Sequence, residues 1–562
     1  MLKKPVPIGY EDFKELLDRG CYYVDKTGLI KEMIDTQAKV LLFTRPRRFG
    51  KTLNQSMIKY FFEKTKEDNA VLFNDLEISG YDGKYMSYQG KYPVISISLK
   101  SLKHSSLKDV YKAFEVIVSD EFKRHISLLD SPLLLDNDKK TIKKIIDMNA
   151  DSVDVKFSLG FLSECLYKAY EKKVIVLINE YDVPLENAHF NNFYPQVVDL
   201  IRGCFEKVLK TNTSLHMAVL TGCLRVSKES IFTGLNNLDI YDVTDEPFSK
   251  YFGFTNDEVE SMLCYYDKKD IHDVIRQWYN GYLFGVTEMY NPYSVTKAVN
   301  NAVRSSRFIP EAYWTNTSSN SIVRDFILHC NDDIRHELEQ LVNGGIVYKK
   351  IYKDLTYDDL GTSDDPDSMN SEQIWSHLLY TGYLKQRYNF EKSLYELQLP
   401  DCEVKEAYTK IINEVFEYKL KTTSRDELFR AVLEGDAEQI ELIFKRWIYK
   451  SISYHDNKED FYDGVMLGLL SGFDGYKVKS NRESGDGRFD IVMYDAMMQS
   501  VGIIFEFKFT DDMKKLPDKC REALEQIEKN KYETELEDLG VKKVIRYGIA
   551  FCKKVCKVSV AK

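Results

Sequence analysis

Apolar positions along this 562-residue chain keep two rhythms. Short unbroken runs, Val40-Leu41-Leu42-Phe43 and Val174-Ile175-Val176-Leu177-Ile178, predict strands buried on both faces of a parallel sheet. Leu215 to Leu220 predicts a third strand, and Tyr92 to Leu99 a fourth, with Ile95, Ile97 and Leu99 alternating against Ser96 and Ser98. Between them the period lengthens. Thr52 opens a helical run through Leu53, Met57, Ile58 and Phe61, and a longer stripe passes through Leu107, Val110, Phe114, Val118 and Phe122. Further helices are expected over 10–19, 157–171 and 193–210. Strands alternating with helices predict an α/β domain with a parallel sheet.

From about residue 254 to 401 the periodicity turns mostly helical, interrupted by aromatic clusters such as Trp278-Tyr279-Asn280-Gly281-Tyr282 and Tyr313-Trp314. Such clusters can stack bases, but core packing is the more ordinary use of them, and a helical lid over the first domain is the simplest role. After residue 401 the order changes again. A helix over 460–470, strands over 476–480, 489–494 and 501–509, a helix over 519–532 and a strand over 544–551 predict a second α/β domain. The expected division is therefore 1–253, 254–401 and 402–562.

Chemistry enters where these elements meet. The strand ending at Phe43 runs into Thr44-Arg45-Pro46-Arg47-Arg48-Phe49 and then Gly50-Lys51-Thr52 at the start of a helix. A strand, a tight loop and a helix N-terminus bring backbone N–H groups, the Lys51 ammonium and the Thr52 hydroxyl to one anion and its Mg²⁺. Arg45 stands where another glycine is usual. The run 174–178 ends in Asn179-Glu180-Tyr181-Asp182, and ligands of open α/β sheets lie at that edge. In this class of ATPase a first acid there holds Mg²⁺ through water and a second polarises the attacking water. Asn179 cannot supply a charge to the metal, which leaves Glu180 as the expected base. Arg225, just beyond the strand 215–220, is either a γ-phosphate sensor or a solvent-facing loop residue.

A second candidate site lies near the C-terminus. If 489–494 and 501–509 form a hairpin, Asp490 falls roughly opposite Phe505 and next to Glu506. Glu506 and Lys508 then share a face while Phe505, Phe507 and Phe509 enter the core. Two carboxylates can hold Mg²⁺, and Lys508 can help neutralise charge developing on a phosphodiester. Glu459, near the start of the preceding helix, and Gln526, on the following one, are weaker additions. Beyond Val541 the chain carries Lys542, Lys543, Arg546, Lys553, Lys554, Lys557 and Lys562 and no acid. That bias suits either contact with a phosphate backbone or protection of an edge strand.

Composition narrows these readings only a little. With 44% hydrophobic and 30% charged residues the chain is of globular type, and a net charge of −10 excludes a general polycation. Ten scattered cysteines without a CxxC pair argue against zinc and for free thiols in a reducing cytoplasm. Neither a spanning apolar run nor a signal-peptide core is evident.

The stretches Tyr23-Val24-Asp25-Lys26-Thr27, Pro46 to Thr52, Glu180-Tyr181-Asp182, Thr221-Gly222-Cys223-Leu224-Arg225 and Tyr279-Asn280-Gly281-Tyr282 resemble the bacterial AAA-ATPase-like proteins. In that family the ATPase is fused to a C-terminal PD-(D/E)XK nuclease domain. Gly487-Arg488-Phe489-Asp490, Glu506-Phe507-Lys508, Gln526 and Glu459-Asp460-Phe461-Tyr462 resemble its nuclease positions. The resemblance implies that Arg45 is ordinary for the family. It also implies a nucleotide site of Arg47, Arg48, Phe49, Gly50, Lys51, Thr52, Leu53, Asn179 and Arg225, with Glu180 catalytic. The nuclease site would be Asp490 and Glu506 on metal, with Lys508, Gln526 and Glu459. Asn179 departs from the family's usual aspartate and puts hydrolysis in question; Asp463 replaces a frequent histidine.

The expectation is a cytoplasmic, ATP-binding, Mg²⁺-dependent nuclease (Mn²⁺ also able to serve) acting on DNA, with nucleotide state gating the cut. The alternative is a nucleotide-dependent switch or scaffold that binds nucleic acid or protein without cleaving it. Partners are a nucleotide and nucleic acid, not a membrane, with self-association left open.

Overall fold

Five strands, β1 (Val40–Thr44), β2 (Val94–Ser98), β3 (Val174–Asn179), β4 (Leu215–Gly222) and β5 (Leu238–Tyr241), form one parallel sheet in the order β2-β3-β4-β1-β5. Every residue of β1 and β3 is buried, which is why their sequences read as unbroken apolar runs. In this computed structural model the described residues are 3–225, 231–232, 237–305, 307–314, 332–342, 344–357, 371–421, 425–451, 470, 476–484, 487–495, 501–530, 532–552 and 555–561. The helix Lys51–Phe62 follows β1 directly, and Leu107–Arg124, Ser152–Tyr170 and Tyr194–Leu209 complete the set expected from periodicity. Their starts are chemically marked. Ser106 accepts from the Asp109 N–H and Asp151 from the Val153 and Asp154 N–H groups, satisfying donors that a helix leaves open.

The chain divides into two compact units, Met1–Cys330 with Glu337–Tyr408, and Asn331–His336 with Thr409–Lys562. The middle region 254–401 falls largely in the first unit. Between its helices it holds a hairpin of β6 (Asn280–Phe284) and β7 (Thr287–Tyr290). It also holds a sheet of β8 (Val347–Lys349), β9 (Lys385–Asn389) and β10 (Leu394–Gln398), ordered β8-β10-β9. The middle region is therefore less uniformly helical than its periodicity suggested, because each of these strands is five residues or fewer. Tyr279, Tyr282, Tyr290 and Trp314 are fully buried, so these aromatics are packing and not base platforms.

The second unit is a mixed sheet of β11 (Tyr476–Ser484), β12 (Gly487–Asp495), β13 (Val501–Phe509), β14 (Lys543–Cys552) and β15 (Val555–Ala561) in sequential order. Only the β13–β14 pair is parallel. Ile503, Phe505 and Phe507 pack with Leu428, Val432, Ile440 and Phe444 of the helices Arg425–Glu434 and Ala437–Ser451. Val492 and Ile504, on the opposite face, pack with Ile527, Tyr532 and Leu536. The period of two along β13 therefore sends aromatic residues to one layer and Glu506 and Lys508 to the other.

No described helix is long and apolar enough to cross a membrane.

Candidate functional site

The loop after β1 is held residue by residue. Arg45 is fully buried, its guanidinium 5.3 Å from the rings of Phe252 and Phe284, with Nη1 donating to the carbonyls of Thr44 (2.9 Å) and Tyr241 (2.8 Å). Its Nε and Nη2 have no hydrogen-bond partner, and burial pulls its pKa down to about 10. The side chain that replaces the usual glycine thus points away from the ligand side and fastens the loop to β5 and β6. Arg47 Nη2 donates to both carboxylate oxygens of Glu186, at 2.7 Å to Oε1 and 2.5 Å to Oε2. Phe49 is buried edge-on to Tyr282 at 4.8 Å. Arg48 lies over the ring of Tyr293 at 4.5 Å with φ +71°, and Gly50 has φ +81°. A Cβ at Gly50 would meet nothing within 4 Å, so glycine is favoured there by its backbone conformation and not by lack of space.

These constraints leave Lys51 and Thr52 lining a cavity of about 630 Å³, together with Leu53, Glu180, Asp182, Cys223 and Tyr293. Lys51 Nζ donates to the carbonyls of Arg45 (2.8 Å) and Pro46 (2.9 Å) and lies 3.5 Å from Cys223 Sγ. Asn179, at the end of β3, donates through Nδ2 to Thr52 Oγ1 (3.1 Å) and Ser98 Oγ (3.3 Å), and its Oδ1 accepts from Thr221 (2.8 Å). The pole where an acid and Mg²⁺ would meet is thus a ring of neutral groups, with Thr52 offering its oxygen to an amide. Glu180, at φ +53°, lines the cavity beside it.

Nothing in the sequence alone assigns Asp182 a role. It is buried, its Oδ2 accepts from the Cys223 (2.6 Å) and Leu224 (3.1 Å) N–H groups, and burial raises its pKa. It therefore fastens the loop after β4 against the loop after β3. Glu186 was likewise unread, because its partner Arg47 is 139 residues away. Arg225 is not among the cavity-lining residues; it pairs with Asp354 at 3.5 Å.

In the second unit β12 and β13 form the expected hairpin, one step out of the expected register: Ile491, not Asp490, pairs with Phe505. That brings Asp490 level with Glu506, and Asp490 Oδ2 accepts from the Phe507 N–H at 2.7 Å. Glu506 is 1% exposed and Lys508 Nζ donates to its Oε1 at 3.1 Å, but Oε2 has no partner. Burial first, and Asp490 second, push the Glu506 carboxyl up to about 7 against the opposing pull of Lys508. A buried carboxylate oxygen without a donor, beside a second carboxylate, is an arrangement that a divalent cation completes. No group of three or more ligand-type side chains gathers among the described residues. Glu459 lies outside them. Gln526 donates to Tyr532 at 3.2 Å.

Of the basic tract, Arg546 pairs with Glu533, and Lys557 with Glu441 at 3.0 Å. Acids from elsewhere in the unit therefore neutralise part of a stretch that is purely basic in sequence. Lys553, Lys554 and Lys562 lie outside the described residues.

A parallel sheet with a phosphate loop after β1, and β4 inserted between β1 and the polar-ended β3, is an AAA-like nucleotide-binding fold; the second unit has the architecture of a nuclease domain. The family "Predicted AAA-ATPase" matches residues 7–232, and the PD-(D/E)XK nuclease superfamily matches residues 457–560. The chain carries an AAA-ATPase-like domain and a C-terminal PD-(D/E)XK nuclease superfamily domain. A relative from Azotobacter chroococcum mcd 1, an uncharacterized protein in the vnfD 5′ region, is 24% identical over 529 residues, covering 91% of this chain and 90% of its own length. Among solved structures, the Drosophila ORC bound to DNA aligns over 73% of this chain and 88% of that chain at 9% identity. Its TM-score of 0.23 carries no argument.

Proposed function

We propose that the protein is an ATP-binding, Mg²⁺-dependent nuclease that cuts DNA and whose nucleotide state gates the cut. The observation that carries this reading is the unpartnered, buried Glu506 Oε2 beside Asp490 and Lys508. Asp490 and Glu506 would hold the metal. A bound divalent cation supplies Lewis-acid activation of water and of the scissile phosphate. Lys508, 17% exposed in its side chain, would neutralise charge on the phosphodiester, and its ion pair with Glu506 opposes the rise that burial imposes on that carboxyl. On the nucleotide side, Lys51 and the loop receive the phosphates, Thr52 faces the metal position and Glu180 positions water. We place this activity in a bacterial cytoplasm.

Asn179 favours a second reading for the first domain: a nucleotide-dependent switch that binds ATP and hydrolyses it slowly or not at all. The amide bonded to Thr52 supplies no negative charge there. The deciding experiment follows cleavage of linear duplex, nicked and single-stranded DNA, and of RNA, in Mg²⁺ and Mn²⁺ with and without ATP. The comparison protein is Glu506→Ala/Lys508→Ala. Cleavage of DNA that the double variant loses supports the nuclease. No cleavage under any condition, with ATP still bound, leaves the switch or scaffold.

A further inference from the structure

Lys51 and Thr52 mark the phosphate position in the cavity, which leaves the remaining lining to the rest of a ligand. Most aromatic side chains there are already engaged. Tyr22 packs against Tyr265 (4.9 Å) and Tyr266 (5.6 Å), while Tyr23 meets Phe13 edge-on and its hydroxyl contacts Met57 Sδ at 3.3 Å. Tyr293 differs. It lies in the first turn of the helix Pro292–Arg304, lines the cavity, and is only half-buried. Its ring contacts are cations, Arg48 at 4.5 Å and Lys297 at 5.7 Å. The helix itself is fixed independently, because Asn291 accepts from the Tyr293 and Ser294 N–H groups and Ser294 donates to the buried Glu403 at 2.7 Å. The Tyr293 ring is therefore held in place without an aromatic neighbour among the described residues, and its guest is an exposed arginine of the phosphate loop.

Arg48 is the second half of the argument. A non-glycine residue at φ +71° costs backbone energy that is retained where the position has a task. Guanidinium over an aromatic face is a modest attraction at an exposed site, whereas phosphate offers the same group a charge-assisted bond. We infer that Tyr293 is the nucleobase-stacking residue of this site, its face covered by Arg48 until the phosphates of a nucleotide draw the guanidinium away. Arg48 then serves the phosphates, and the base takes the ring. Stacking tolerates any base, so selection among bases is weak at this position. The inference rests on reading the cavity as a nucleotide site.

The test separates base from phosphate by comparing ATP with inorganic tripolyphosphate, binding each to the full chain by calorimetry. Tyr293→Ala is expected to weaken ATP on the order of tenfold and to leave tripolyphosphate unchanged; Tyr293→Phe, which keeps the ring, binds both as the parent does. Arg48→Ala is expected to weaken both ligands. Equal ATP affinity in Tyr293→Ala and parent overturns the inference. So does an equal loss of ATP and tripolyphosphate in Tyr293→Ala, which marks a structural role only. A parent chain that binds neither ligand overturns the nucleotide-site reading itself, and this inference with it.

Discussion

Asn179 and Glu506 are buried in opposite ways. The Asn179 amide is satisfied by neutral partners, serving Thr52 and Ser98 and served by Thr221, although Asp182 Oδ1 in the same cavity is buried without a partner. Around Glu506 a carboxylate is buried with one oxygen bonded to Lys508 and the other to nothing. A satisfied buried network is a stable arrangement that asks for no further charge. An unsatisfied buried carboxylate is costly unless a proton or a cation completes it. The contrast teaches that the Glu506 position asks for a cation, whereas the position of Asn179 itself does not.

The sharpest way to break this contrast is at Glu506 and Lys508. Removing both should lower the rate of Mg²⁺-dependent cleavage by on the order of 10²–10³ or more, measured on a supercoiled plasmid under single-turnover conditions. ATP affinity should not change. A double variant that still cuts at the parental rate would move the active centre elsewhere.

Next comes Asn179→Asp. An aspartate there would accept from the Thr52 hydroxyl, turning the threonine oxygen towards a cation and adding the missing charge. Phosphate release with saturating ATP and Mg²⁺ should rise by on the order of 10², and Glu180→Gln in the same background should remove the gain. Equal rates in parent and Asn179→Asp would mean that the neutral pole does not limit hydrolysis.

Much of this was legible in the chain alone, and the reason is local. The phosphate loop announces itself within a dozen residues, and the alternation of Phe505, Glu506, Phe507 and Lys508 assigns faces without knowledge of any partner. What stayed hidden depends on distant residues. Arg45 reads as a missing glycine until Phe252 and Phe284 are seen on either side of it. Asp182 reads as one more acid until its bonds to the loop after β4 appear. β5 escaped because it is four residues long and only partly buried, too short for a period to show.

A smaller effect sharpens the contrast through stability. The Glu506 carboxyl stands at about 7 in the folded chain against an ordinary 4.5. A raised acid holds its proton more tightly when folded, so stability should fall as pH rises from about 4.5 to about 7 and then level off. The full span is roughly 3 kcal/mol. Chemical denaturation in chelator should trace this decline, Glu506→Gln should flatten it, and Mg²⁺ at pH 8 should recover part of it. Lys508 carries charge in the same cluster, so the double variant is not a substitute for Glu506→Gln here.

The smallest expected effect concerns the basic tract, where sequence and structure differ most. Lys557 looks like a free phosphate contact in a stretch without acids, yet it pairs with Glu441 at 3.0 Å, and Glu441 Oε2 also accepts from the Val558 N–H at 3.2 Å. With its lysine side chain 46% exposed, the pair should contribute less than about 1 kcal/mol. Lys557→Ala should therefore shift the denaturation midpoint only slightly. It should also leave the slope of DNA affinity against salt unchanged, since a lysine already matched by a carboxylate releases no counterion on binding. A loss of about one unit in that slope would show that DNA displaces Glu441, and would return the tract to the nucleic-acid interface.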